Sequence, residues 1–275
     1  MFDALFTTTT EYKKLSHALS GKGACALFGL PASGRAQVYA ALCRQLDKPL
    51  CIVTPGEAEA TRFAADLNTL GIPAAVFPAR DYVLRPIEGT AREYEYRRLA
   101  VLGELVGGRL RAVAVPAEAL TQFTTPKEDF CANTRTLHAG DTLLRDDLLA
   151  ALFGAGYTRR AQVDGPGQFS VRGDIVDVFA VNGENPYRIE FFDDEIDTIR
   201  TFDVTSQRSV DTVKSLTVMP FRVNDDEETA SLLSYGGEGL IVYDEPVRIQ
   251  DTLKAFLKED ATHGQNHYTV FDLWR

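Results

Sequence analysis

No run in this 275-residue sequence approaches the ~20 apolar residues needed to span a bilayer. Its start, MFDALFTTTTEYKKL, lacks the basic-then-apolar order of a secretory signal, so a cytoplasmic location and no membrane partner are expected. Cysteine is scarce. Cys25, Cys43, Cys51 and Cys131 show no CxxC spacing, and three of them lie in apolar runs where a thiol acts as a small buried hydrophobe, which argues against a disulfide frame or a zinc knuckle. His263 and His267 are four apart across Gly264 with no ligand set to complete them, so no metal site is expected. No Ser, His and Asp grouping stands out, and catalytic residues are expected to be absent. Heptads are lacking, which leaves a monomer as the default. Positive charge is also short. The formal net charge of −10 argues against a general nucleic-acid surface, which needs clustered Lys and Arg. Residues 21–115 hold 12 basic against 9 acidic residues, and residues 116–275 hold 15 against 28, so any DNA contact belongs to the front.

With 45% hydrophobic and 25% charged residues, the chain can bury one or two ordinary cores. GACALFGLP, Gly23 to Pro31, reads as a strand ending in small residues, and SGRAQVYAALCRQL then carries apolar residues at helical spacing. The unit repeats in LCIVTP from Leu50, a helix over Glu57–Leu70, AAVFP from Ala74, a helix over Ala91–Val106 and AVAVP from Ala112. Such alternation predicts βαβ crossovers and a largely parallel sheet, hence an α/β domain over residues 1–118. Beyond Pro116 the strand-like segments crowd together between Gly, Asn and Pro turns: GYTRRAQV, GQFSVRG, IVDVFAV, PYRIEFF and IDTIRTFDV, with one good helix over Arg145–Phe153. This predicts an α+β domain with an antiparallel meander over 119–215, in which Asp193 to Glu195 form a hairpin turn. Residues 216–275 return to α/β texture through GLIVYDEP and a helix to Leu257; the acidic Asp225 to Glu228 read as a solvated loop or helix start. The apolar ending HYTVFDLWR suggests a truncated chain.

Two motifs bear on nucleotide chemistry. GLPASGRA, Gly29 to Ala36, stands where a P-loop of the form G-x-x-x-x-G-K-[ST] would stand, with Gly29 and Gly34 at the glycine positions. Arg35 replaces the lysine that reaches the β and γ phosphates, and Ala36 replaces the hydroxyl that holds Mg²⁺. Two readings stand: a glycine-rich turn with no ligand, or a helix N-terminus that still favours an anion without hydrolysing it. In YDEP, Asp244 and Glu245 end an apolar strand, the place where helicase-like ATPases handle Mg²⁺ and water. Together the motifs describe a degenerate P-loop NTPase, RecA-like domain whose Asp244 and Glu245 are a vestige of the second motif.

GYTRR, GQFSVRGDIVDVF (Gly167 to Phe179) and PYRIEFFDDEIDTIRTFDVTSQRSV (Pro186 to Val210) resemble the second domain of the excision-repair protein UvrB. They resemble its counterpart in the transcription-repair coupling factors, Mfd, more closely. The degenerate GLPASGRA also looks like the coupling factors, since UvrB keeps Lys and Thr. The resemblance covers essentially the whole chain and implies UvrB-like domains 1A, 2 and 1B, with the second domain recruiting UvrA. It implies RNA polymerase, double-stranded DNA, ATP and Mg²⁺ as partners and cofactors of further domains absent here, and no cofactor for this part. The family's Tyr-x-Arg falls on Tyr157, Thr158 and Arg159, and its Phe-x-Val-Arg-Gly-Asp falls on Phe169 to Asp174, which makes Arg159 and Arg172 the implied UvrA contacts. Ser170 stands where UvrB has a further Arg. Against this, Arg172 with Asp174 also reads as an ion pair across a turn, and Arg159 beside Arg160 as a solvated strand edge. Phe169 is either core or interface, depending on strand register. Phe191 and Phe192 are adjacent and so point to opposite faces of a strand.

Overall fold

The computed structural model describes residues 6–21, 23–80, 90–221 and 229–260. In chain order its elements are α1 (Thr10–Leu19), α2 (Ala32–Leu46), β1 (Leu50–Thr54), α3 (Glu57–Thr69), β2 (Ala74–Val76), α4 (Thr90–Val106), β3 (Ala112–Pro116) and α5 (Ala117–Thr121). There follow α6 (Lys127–Ala132), β4 (Arg135–His138), α7 (Arg145–Gly154), β5 (Thr158–Arg159), β6 (Gln168–Arg172), β7 (Ile175–Phe179), β8 (Tyr187–Phe192) and β9 (Glu195–Phe202). Then come β10 (Ser209–Val213), β11 (Ser215–Val218), a 3₁₀ turn (Leu232–Tyr235), β12 (Leu240–Tyr243) and α8 (Pro246–Asp260). The chain divides into two units: residues 1–86, 104–123 and 231–275 form the first, and residues 87–103 and 124–230 the second.

The first unit is built on a four-stranded parallel sheet in the order β12-β1-β3-β2, with Leu50 in register with both Ala112 and Leu240. Every residue of β3 is buried, as expected of a strand covered on both faces. Helix α3 places Ala60, Phe63, Ala64 and Leu67 on one stripe at helical spacing and buries all four, while Glu57 and Glu59 in its first turn suit the positive end of the helix dipole. Helix α1 starts at Thr9, whose Oγ1 accepts a hydrogen bond from the Tyr12 amide.

The second unit carries a six-stranded sheet in the order β10-β9-β8-β7-β6-β5, antiparallel except for the β5–β6 pair, and a separate β4–β11 pair. Alternation sets its faces. Phe169, Val176, Val178, Ile189 and Ile199 point to one side and form a core with Leu148 and Leu152 of α7. Ser170, Arg172, Asp177, Arg188 and Arg200 point to the other. Two-residue turns fix these registers: Gly173 at φ +61° joins β6 to β7, and Asp193 at φ +51° joins β8 to β9. Phe191 is buried and Phe192 is 75% exposed, the opposed pair expected of adjacent strand residues.

The described structure departs from the sequence reading at several points. GACALFGLP forms no strand: residues 23–29 are exposed, Phe28 to 90%, and none pairs into a sheet. A strand needs a neighbour for its N–H and C=O groups as well as apolar composition, and β12 closes the described sheet without this segment. The glycine loop is therefore not flanked by a strand on its N-terminal side. GYTRRAQV yields only the two-residue β5, while α5, α6 and the β4–β11 pair were not foreseen. Asp225 to Glu228, His263, His267 and HYTVFDLWR lie outside the described residues. Among the described residues no helix is long and apolar enough to cross a membrane, and no His, Cys, Asp or Glu group is placed to hold a metal.

Candidate functional site

Folding of the first unit brings the two nucleotide-related motifs together. Gly29 takes φ +79°, a conformation that favours glycine, and Gly34 and Arg35 lie in the first turns of α2. Asp244 and Glu245 follow the last residue of β12. Arg35 spans the gap. One guanidinium nitrogen donates to both carboxylate oxygens of Asp244 at 2.9 and 3.0 Å, and the other donates to Glu245 Oε1 at 2.6 Å. The Arg35 Nε donates to the Leu30 carbonyl at 3.4 Å. Asp244 is only 4% exposed and also accepts from the Tyr39 hydroxyl at 3.4 Å. Burial, reinforced by the charge of Asp244, pushes the Tyr39 phenol well above its ordinary range. Glu245 holds φ +60°, an uncommon conformation for a residue with a side chain. Ala36 is buried in the unit's core and offers no ligand atom. Both carboxylates are engaged by one guanidinium, which leaves the cluster a formal charge of −1, and the hydroxyl beside them, that of Tyr39, donates to Asp244.

In the second unit, the sheet sorts the remaining candidates. Phe169 is fully buried, so it belongs to the core and cannot touch a partner directly. Arg159 is exposed at the sheet edge, in register with Phe169, and so faces that residue's side. Arg172 projects from the opposite face. Its guanidinium donates to Asp177 Oδ2 at 2.6 Å, so the ion pair expected with Asp174 is instead made with Asp177. The reason is register: the two-residue turn sets Asp177 opposite Ser170, diagonal to Arg172 on the same face, whereas Asp174 sits in the turn and lies 3.7 Å from Arg145.

Asp177 is 1% exposed and its charge is shared by a second arginine that the sequence reading missed. Arg188 grips it in a fork, from Nε to Oδ1 at 2.7 Å and from a terminal nitrogen to Oδ2 at 3.0 Å. The same guanidinium lies 4.5 Å from the Phe202 ring centroid, and the hydrogen bond to Asp177 raises its pKa. The signal was present as alternation: an acidic residue in the middle of IVDVF, on a strand otherwise fit for burial, demands a partner on the next strand. Arg172 is half exposed above this network, held by one bond, and keeps the rest of its fork free for solvent or a partner.

A family model for the UvrB interaction domain matches residues 136–223, which fall within the second unit. The transcription-repair-coupling factor of Bacillus subtilis (strain 168) is 30% identical over 243 residues, covering 87% of this chain and 21% of that protein. The factor of Staphylococcus aureus (strain USA300) is 32% identical over 192 residues, 69% of this chain and 16% of its own length. Over most of its length this chain resembles the transcription-repair-coupling factors. The Haemophilus influenzae factor agrees, at 30% identity over 217 residues, 78% of this chain and 18% of that protein. The chain thus spans about a fifth of the length of these coupling factors. Its described elements account for that share with a parallel α/β unit and an antiparallel unit.

Proposed function

We propose that this chain is the recruiting part of a transcription-repair coupling factor, a non-catalytic module whose second unit binds UvrA in nucleotide excision repair. The observation that carries the reading is the match of residues 136–223 to the UvrB interaction domain, on a unit that holds Arg159 exposed at its sheet edge and Arg172 half exposed above Asp177. Exposed arginines on a rigid sheet offer planar, charge-assisted hydrogen bonds to an acidic partner. The first unit serves as a degenerate, P-loop-like scaffold. In support, Arg35 occupies the Asp244 and Glu245 carboxylates from within the fold, and Ala36 provides no metal ligand. ATP and Mg²⁺ then belong to the motor of the longer protein, an ATP-driven translocase on double-stranded DNA that acts on stalled RNA polymerase.

The test is a titration of the chain against UvrA, wild type beside an Arg159→Ala, Arg172→Ala double variant checked by circular dichroism. Loss of binding in the folded double variant is the expected result; unchanged affinity in that variant would refute the assignment of these residues. A phosphate-release assay with Mg²⁺-ATP is expected to show no hydrolysis by the chain, and turnover that is lost in Arg35→Ala would overturn the non-catalytic reading.

A further inference from the structure

Helix α7 turns Leu148 and Leu152, four residues apart, into the core of the second unit. Phe153 lies about 100° further round the helix and emerges 55% exposed. Its ring is nonetheless anchored. It meets the buried ring of Phe169 edge to face, with centroids 4.9 Å apart and planes at 86°. The strand partner of Phe169 in β5 is Arg159, and in-register residues of a parallel pair point to the same side. Phe153 and Arg159 therefore flank one buried ring on the α7 side of the sheet.

The charges there are not spent inside the unit. Arg145, Arg172, Arg188 and Arg200 are each held by a carboxylate, whereas Arg159 and its exposed neighbour Arg160, like the isolated Arg135 and Arg208, make no ion pair with a described residue, and only Arg159 and Arg160 stand side by side at the sheet edge. This occurs although residues 124–230 contain 20 acidic against 11 basic residues. The edge is also open. Strand β5 pairs only with Gln168 and Phe169, so beyond them β6 has no outer strand partner among the described residues.

We propose that the end of α7 and the β5 edge form one docking patch for an acidic protein segment. Arg159, with Arg160 beside it, takes a carboxylate of the partner, and Phe153 takes an apolar side chain next to it. A rigid aromatic anchor adjacent to a guanidinium is the composition of an interface hot spot, and its ring gives contact area at small cost in side-chain entropy. The inference rests on the recruiting function proposed above and adds to it a residue, Phe153, and a face. Arg172, on the other side of the sheet, can reach the same partner only if that partner reaches around the edge.

The experiment is a titration of UvrA with the wild-type chain and with Phe153→Ala, Phe153→Leu, Arg159→Ala and Phe192→Ala. Phe192 is the control, being an even more exposed aromatic near the β8–β9 turn. Phe153→Ala and Arg159→Ala are each expected to weaken binding about tenfold or more, and Phe153→Leu and Phe192→Ala to stay within about threefold. Should Phe153→Ala not fold, as judged by circular dichroism, Phe153→Gln replaces it, since it keeps a side chain over Phe169 but removes the apolar contact. Raised salt should weaken the wild type more than Arg159→Ala. Wild-type affinity in a folded Phe153 variant, with Arg159→Ala still impaired, sinks the patch and leaves the recruiting function standing. An equal loss in Phe192→Ala also sinks it, by showing unspecific adhesion. Absence of binding by the wild type removes the recruiting function itself, and the patch with it.

Discussion

Arg35 is the residue on which the first unit's polar interior turns. Asp244 is almost fully buried, and without the guanidinium it would keep only a long hydrogen bond from Tyr39. Arg35→Ala should therefore destabilise the unit by about 2–3 kcal/mol, towards the low end for a broken buried pair because Arg35 is itself partly exposed. Arg35→Lys should fall between the two, since a single ammonium cannot serve both carboxylates with a fork. Urea unfolding measures both. Tyr39 adds a pH dependence. Its phenol is raised in the folded chain by burial and by Asp244, so above its ordinary pKa of 10.0 the unfolded chain loses a proton that the folded chain retains. Stability is then complete below about pH 10 and falls as the pH climbs above it. In Tyr39→Phe, this part of the decline should vanish from urea midpoints taken between about pH 9 and 11.

Strand β6 is the element that joins core to candidate contact, because Phe169 and Arg172 project from its two faces. Its entry depends on Gly167, which takes φ +74° and lies so close to Phe221 that an added Cβ would sit 2.1 Å from the ring. That ring is itself packed against Tyr96 and Tyr157, which limits its retreat. Gly167→Ala is therefore expected to cost about 3 kcal/mol, combining overpacking with a strained backbone, and a thermal melt would show it as a lowered midpoint. A neutral outcome would mean that β6 starts without this turn. The meander was legible in GQFSVRG, IVDVFAV and PYRIEFF because one buried face imposes a period of two on each strand. The brevity of β5 was not, since GYTRRAQV has strand composition throughout and only its neighbour decides where pairing stops.

For the whole molecule, charge is the governing quantity. Residues 116–275 hold 28 acidic against 15 basic residues, and Arg145, Arg172, Arg188 and Arg200 of the second unit are committed to internal carboxylates. Double-stranded DNA should accordingly show no binding to this chain at physiological salt in a filter or anisotropy assay. Weak binding that appears only at low salt would assign the small positive excess of residues 21–115 a role. Tight binding at physiological salt would contradict the view of the chain as a protein-recruiting module.

The sequence alone determined the alternation of strands and helices from Leu50 to Pro116, the antiparallel texture beyond it and the two altered motifs, because hydrophobic period and residue type are local properties. Only the tertiary structure decided that Arg35 closes on Asp244 and Glu245, about two hundred residues away, and that Asp177 is held between Arg172 and Arg188. Only the structure, too, buried Phe169, exposed Phe153 beside Arg159, and left GACALFGLP without a strand partner. Each of these depends on which segment lies next to which, and a buried charge or an open edge acquires its meaning only from that neighbour.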